Sequence, residues 1–276
     1  MGKTQSLFKQ LFRSLIIPVA AVALWQVLSR YEVFSPQALP SPVQVFRKLI
    51  EYAWPIEPFQ ATQMSYLAWM FSGELPHDLL ATFLRVLAGF LIGAGLALPL
   101  GLFMGNFEGV YLLFNPLIQV LRPIPPIAYV PLSILWFGLG NPPAYFLISL
   151  GAFFPVLMNT ISGVRNVDAI YIRAARNLGA GGMTLFIRVI VPAALPHILT
   201  GLRVGIGVAF ICVIVAEMIA VNNGLGYRIL EAREYFWSDK IIAGMISIGL
   251  LGLAIDTVMS RMNNYLLRWH RGMENS

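Results

Sequence analysis

The apolar residues of this chain gather into long runs separated by short polar breaks, and the runs approach the roughly 20 residues that a helical bilayer crossing requires. Residues 86–104 and 123–164 carry no charge at all, and the second stretch is long enough for two crossings around the turn-forming segment 138–143. Read this way, the chain predicts six membrane-spanning helices over 15–29, 80–104, 110–139, 143–161, 197–221 and 241–260. The third is long and interrupted by Pro123, Pro125, Pro126 and Pro131. Such breaks persist in lipid only where neighbouring helices or a wet cavity satisfy the freed backbone groups.

Composition agrees with the pattern. Of 276 residues, 58% are hydrophobic and 12% charged, and the mean hydropathy is +0.73. Soluble domains carry about 25% charged residues, so an all-α integral membrane protein is expected. The first apolar run follows Lys3, Lys9 and Arg13 as a signal peptide would, but no clean small-x-small cleavage site precedes Arg30. It is read as a retained first span. The net charge of +6 is scattered between spans, which fits positive-inside topology better than nucleic-acid binding. With six spans both termini share a side with the basic loop 162–196, and the arginine and lysine balance makes that side cytoplasmic.

The expected organisation is a cytoplasmic segment 1–14, a first span with its external connection 15–79, a multi-span core 80–266 holding the loop 162–196, and a cytoplasmic tail 267–276. The Pro-punctuated connection 30–78 is either a linker or an extracytoplasmic docking surface. Much familiar chemistry is missing. Cys212 stands alone in an apolar run, and His77, His197 and His270 have no ligand partner at helical spacing, so no metal centre is expected. Gly2-Lys3-Thr4 lacks the preceding glycine and strand of a phosphate-binding loop. The work of this protein has to be driven from outside the chain.

The loop 162–196 holds the most informative stretch, Ile172-Arg-Ala-Ala-Arg-Asn-Leu-Gly179 followed by Val189-Ile-Val-Pro192. Asp168 is a fitting N-cap and Gly179 a fitting left-handed stop. Between them Ile170, Ala174 and Leu178 fall on one face. The spacing suits a knob for a partner's groove, or a helix lying on the membrane surface. Five ionisable residues fall in or near the spans. Depth suggests two structural pairs, Arg85 with Glu217 and Arg203 with Asp256. Arg122, about 18 Å into its span at ~1.5 Å per residue, either lines a pathway for anions beside Pro123, Pro125 and Pro126 or takes Glu217 for itself. Trp136 and Phe137 read as interfacial anchors or a gate, and glycines 89, 93 and 95 as close-packing positions.

The loop stretch resembles the cytoplasmic signature of importer permeases of the ATP-binding cassette superfamily: Glu-Ala-Ala, three residues, Gly, nine residues, Ile-x-Leu-Pro. Ala174, Ala175, Gly179 and Pro192 fall in register, Val189 and Val191 are conservative replacements, and Arg173 stands in place of the glutamate. Leu121-Arg-Pro-Ile-Pro-Pro-Ile-Ala128, Leu135-Trp-Phe-Gly138, Leu199-Thr-Gly-Leu-Arg203 and Ala216-Glu217 are similar to the nitrate/sulfonate/taurine/bicarbonate permease group. The ending Leu267-Arg-Trp-His270 brings the pattern closest to taurine permeases. The resemblance implies a six-span type I importer permease in the bacterial inner membrane, acting as a homodimer. Two cytoplasmic ATPase subunits would each receive the helix 168–179 and carry the ATP and Mg²⁺, so this chain binds no cofactor and is not itself an enzyme. A periplasmic binding protein would deliver a small oxyanion, taurine or another aliphatic sulfonate first, nitrate, nitrite or bicarbonate next. A membrane scaffold or sensor recruiting a cytoplasmic partner is the alternative from another class, and a stand-alone secondary carrier a third.

Overall fold

Hydrophobic runs with few internal breakers become long helices, and the computed structural model is built of them. It describes residues 2–35, 37–55, 69 and 71–267, with side chains from residue 16 onward. Residues 268–270 and, in the proline-punctuated connection, Pro36 and Pro58 lie outside the described residues. In chain order the helices are α1 (Gly2–Arg30), α2 (Pro42–Ala53), α3 (Glu74–Asn106), α4 (Glu108–Leu121), α5 (Val130–Phe137), α6 (Asn141–Arg165), α7 (Ala169–Asn177), α8 (Gly182–Ala220), α9 (Leu225–Glu234) and α10 (Ser238–Leu266).

Helices α3, α6, α8 and α10, of 33, 25, 39 and 29 residues, are each long and apolar enough to cross a membrane. The pair α4 and Pro126–Phe137 meets the same measure only jointly, across a break bent by 82°, so the described residues hold four such helices, or five counting the pair as one span; Ile16–Arg30 of α1 is a shorter apolar stretch. The long helices run past the edges expected from hydropathy. At ~1.5 Å per residue α3 is about 50 Å and α8 about 58 Å long, against a hydrocarbon core of about 30 Å. Their extra turns carry Glu74, Asp78 and Arg188, which a hydropathy criterion excludes although the helix continues through them. Pro99, Pro155 and Pro196 sit inside intact helices. Only the closely spaced Pro123, Pro125 and Pro126 remove enough successive N–H groups to break one. A π-type turn, Phe186–Ile190, interrupts α8 near its start.

The chain divides into two compact units, Met1–His77 with Arg228–Ser247 and Asp78–Tyr227 with Ile248–Ser276. This groups 228–247 with the N-terminal part, where the sequence reading had placed it in the core. In the second unit α6 is central: 56% of its apolar window is buried, against 39% for α3 and α8 and 22% for α10. Small residues bring the backbones together. A Cβ at Gly89, Gly101 or Gly105 of α3 would stand only 2.5–2.8 Å from the Cβ of Ile148, Thr160 or Val164 on α6. Gly93 lies against the Ser149 backbone, and Ala97 is fully buried on the same face. This stripe recurs every four residues, the spacing that lets membrane helices approach closely. Gly95 corrects the expectation, since a Cβ there would meet nothing within 4 Å. On the other side of α6, Gly201 and Gly205 of α8 lie against Asn159 and Val156, and Gly151 receives Cys212.

In the first unit part of the Pro-punctuated connection, open between linker and docking surface on sequence, is the helix α2. Pro42 occupies its first turn, where the missing N–H costs nothing. Ser41 Oγ accepts from Gln44 N–H at 3.3 Å, and Gln44 Oε1 accepts from Ser41 N–H at 2.7 Å. This reciprocal cap satisfies two otherwise orphaned donors. Trp25 Nε1 of α1 donates to Pro40 O at 2.9 Å and holds the approach to α2 in place. Val45 and Tyr52 are its buried side chains, and Lys240 Nζ lies 5.4 Å from the Tyr52 ring centre and 3.3 Å from Glu74.

Candidate functional site

Asp168 begins α7 by leaving the helical conformation and accepting Ile170 N–H on its carboxylate at 2.8 Å. At the other end Gly179 takes φ +84°, and the N–H groups of Gly179 and Ala180 donate to Arg176 O and Ala175 O at 2.9 and 3.0 Å. A side chain with a Cβ is disfavoured there, which accounts for the glycine. The helix between is held by one face only. Ile172 and Ala175 pack on a small cluster of Val164, Leu185, Ile190, Ala194 and Ile198. The opposite face is open: Ile170 is 61% and Leu178 89% exposed, with Ala174 between them. The two alanines of the signature therefore point in opposite senses, Ala174 outward and Ala175 toward the helix's own support. Arg173 and Arg176 are exposed beside the apolar stripe, and so is Tyr171, which spacing alone had not singled out. Pro192 lies half-buried in the first turn of Val191–Ala220, following the π-type turn.

Arg122 stands where the bent span breaks. Its N–H still donates to Ile118 O at 2.8 Å, after which the prolines end the helix and Ala128 N–H bonds to Pro125 O at 2.9 Å. Beside it opens a cavity of about 330 Å³ lined by Arg122, Ile124, Pro126, Phe154, Asn159 and Val204, among others. Pro123 and Pro125 shape the turn that presents it. Arg122 and Asn159 are its polar residues, and the Asn159 amide donates to Pro155 O at 2.8 Å. Beyond the break, Trp136 and Phe137 pack on Phe146 with ring centres 5.9 and 5.6 Å apart while staying 57% and 47% exposed.

Arg85 and Glu217 are brought together at 2.7 Å, and both are buried. Glu217 also accepts from Thr82 Oγ1 at 2.9 Å and from Gly226 N–H at 2.9 Å. Arg85 Nε donates to Asn141 Oδ1 at 2.7 Å, and its Nη atoms donate to Asn223 O and Oδ1. Asp78, fully buried, accepts from Gly224 N–H at 2.8 Å. Every charge in this group is met by donors or an opposite charge, as burial requires. Asp78, Thr82, Asn141 and Asn223 escaped the sequence reading because a polar residue at a span end looks the same whether it faces water or the core. With Arg85 holding Glu217, Arg122 is left to the cavity.

Arg203 and Asp256 form a two-pronged pair, Nε to Oδ1 and Nη2 to Oδ2, both 2.8 Å. The two side chains are 46% and 52% exposed. Among the described residues, no three His, Cys, Asp or Glu side chains could jointly hold a metal ion.

Among the described residues, several long apolar helices, a glycine-packed core, a broken helix pair at Arg122 and an exposed amphipathic helix define a multi-pass membrane protein. The chain belongs to the family described as binding-protein-dependent transport system inner membrane component, which matches residues 97–272. It is 42% identical over 267 residues to a putative ABC transporter permease of Methanocaldococcus jannaschii, covering 96% of this chain and 95% of that one. It is 36% identical over 249 residues to the taurine transport system permease of Escherichia coli, covering 90% and 86%. Among solved structures, the MetNI methionine ABC transporter in inward-facing conformations superposes with a TM-score of 0.61 at 17% identity, over 74% of this chain and 99% of that one. The protein is an ABC importer permease of the sulfonate, taurine and nitrate group. Membership displaces the scaffold and secondary-carrier readings. It implies separate ATPase and substrate-binding partners, and the chain is not an enzyme.

Proposed function

We propose that two copies of this permease form a pathway for a small oxyanion, an aliphatic sulfonate such as taurine first, with both termini and α7 in the cytoplasm of a cell bounded by this inner membrane. Each α7 seats in the groove of one ATPase subunit, which carries ATP and Mg²⁺, while this chain binds no cofactor. A binding protein delivers substrate to the opposite face. The outward stripe of α7 carries the reading: Ile170 and Leu178 are large apolar side chains with no support from their own chain, on a helix capped at both ends and anchored on its other face. A peg so built transmits force when a partner grips it. An interface anchor of this kind typically contributes about 2 kcal/mol, a factor of about 30. Leu178→Glu and Ile170→Glu are therefore expected to lower ATPase co-purification and ATP-driven uptake by about that factor. Full recruitment and uptake in both variants would overturn the assignment.

The anion preference rests on Arg122 at the mouth of the cavity. Hydrogen bonds to charged groups contribute about 1.5–3 kcal/mol, so Arg122→Ala is expected to cut taurine uptake by about 10- to 100-fold in assembled transporter. Arg122→Lys keeps the charge but not the planar fork that grips an oxyanion, and should fall between. Unchanged uptake in both variants removes Arg122 from the pathway, and uptake of nitrate in place of taurine shifts the substrate within the group. The half-exposed Arg203–Asp256 pair supports the paired assembly. A charged pair on a membrane-spanning helix is costly against lipid, and a second copy or a wet pathway relieves that cost.

A further inference from the structure

We propose that α2 is a membrane-surface anchor that lays an apolar stripe into the lipid headgroup–acyl boundary, independently of the coupling and transport roles described above. Val43, Phe46, Ile50 and Trp54 follow one another at intervals of three, four and four residues, which places them on one face of the helix. All four are exposed, Val43 at 61%, Phe46 at 64%, Ile50 at 47% and Trp54 at 59%. The side chains that hold α2 to its own unit, Val45 and Tyr52, lie on a different face. The helix is thus apolar over a broad sector, and only the part around Val45 and Tyr52 is covered by protein. The rest of its circumference is a polar edge with exposed Arg47 and the Lys48–Glu51 pair at 3.0 Å.

Three observations select lipid as the occupant. The stripe follows an apolar helix with exposed side chains: α1 exposes Val19, Val22 and Val27, and Trp25 bonds the turn that leads into α2. The stripe ends in an edge-to-face tryptophan pair, Trp54 with Trp69 at 6.0 Å, and tryptophan concentrates at the membrane–water boundary. Arg47 and Lys48 flank the apolar face, the arrangement by which surface helices add attraction to anionic headgroups. The capping box and Pro42 fix the helix start without help from a partner, so the stripe is presented before anything covers it.

The test is site-directed spin labelling of the full transporter in nanodiscs of phosphatidylethanolamine and phosphatidylglycerol. Cys212→Ala removes the one native cysteine, and nitroxides are placed by Phe46→Cys, Ile50→Cys and, on the polar edge, Glu51→Cys. The ratio of oxygen to nickel-chelate accessibility is expected to be several-fold higher at 46 and 50 than at 51. Equal, water-like accessibility at all three sites would overturn the proposal. Exclusion of both reagents at 46 and 50, protection appearing only on adding the binding protein, or spin–spin broadening between copies would overturn it too, assigning the face to a protein surface instead. Two stripe positions are read so that a poorly folding variant at one does not decide the result.

Discussion

Glu217→Ala is expected to destabilise the permease more than any other single truncation considered, by about 3–5 kcal/mol, the range for removing one partner of a buried ion pair. The reason lies in what stays behind. Arg85 keeps its charge, is buried, and loses the carboxylate 2.7 Å away, while Thr82 Oγ1 and Gly226 N–H each lose an acceptor. Gly224, at φ +104°, is pressed so closely on the carboxylate that no side chain fits there, so the surrounding loop cannot collapse into the space without unthreading Asp78 from Gly224 N–H. The measurement is the midpoint of unfolding in detergent micelles, together with the yield of monodisperse protein. Arg85→Met combined with Glu217→Leu should recover much of the loss, because two neutral groups of similar volume leave no uncompensated charge. A Glu217→Ala protein within about 0.5 kcal/mol of the parent, the scatter of ordinary surface changes, would mean that the network does not hold the fold together.

Gly93→Leu should cost about 3 kcal/mol, the upper part of the overpacking range. A side chain at Gly93 of α3 drives into the Ser149 carbonyl of α6, and a backbone inside a helix has no rotamer by which to yield. Gly95→Leu, two residues along, is the internal control. Nothing lies within 4 Å of a Cβ there, and leucine forms helix better than glycine by roughly 0.8 kcal/mol, so it should be neutral or slightly stabilising. Unfolding midpoints of the two variants, read side by side, separate packing from propensity. Equal midpoints would show that α3 and α6 are not in close backbone contact.

The difference between Gly93 and Gly95 also shows where reading a sequence stops. Both glycines sit in one apolar run, and only the neighbouring helix decides which of them is crowded. The α7 peg was legible because its determinants are local: a carboxylate two residues before the N–H it caps, and a glycine at the one position needing positive φ. The Arg85–Glu217 and Arg203–Asp256 pairings followed from depth alone, since few oppositely charged side chains share a level in a span. The ends of α3 and α8 were not legible, because helical hydrogen bonding continues through Glu74, Asp78 and Arg188 after hydropathy has fallen. Helix α2 was hidden by its prolines: Pro36 and Pro40 suggested a linker, while Pro42 two residues on is the first residue of a helix. The same residue type broke the span at 123–126 and left α6 unbroken at Pro155, where a single missing N–H is tolerated.

The glycine seam between α3 and α6 has a mechanical corollary. Its seats recur every four residues, a pitch of about 6 Å along the helix axis, so the two helices mesh like a toothed rack. A slide of less than one full tooth would drive side chains into backbone. Any smaller stroke delivered by a motor must therefore swing these helices as a single lever, and the give needed to open a passage has to come from elsewhere in the chain.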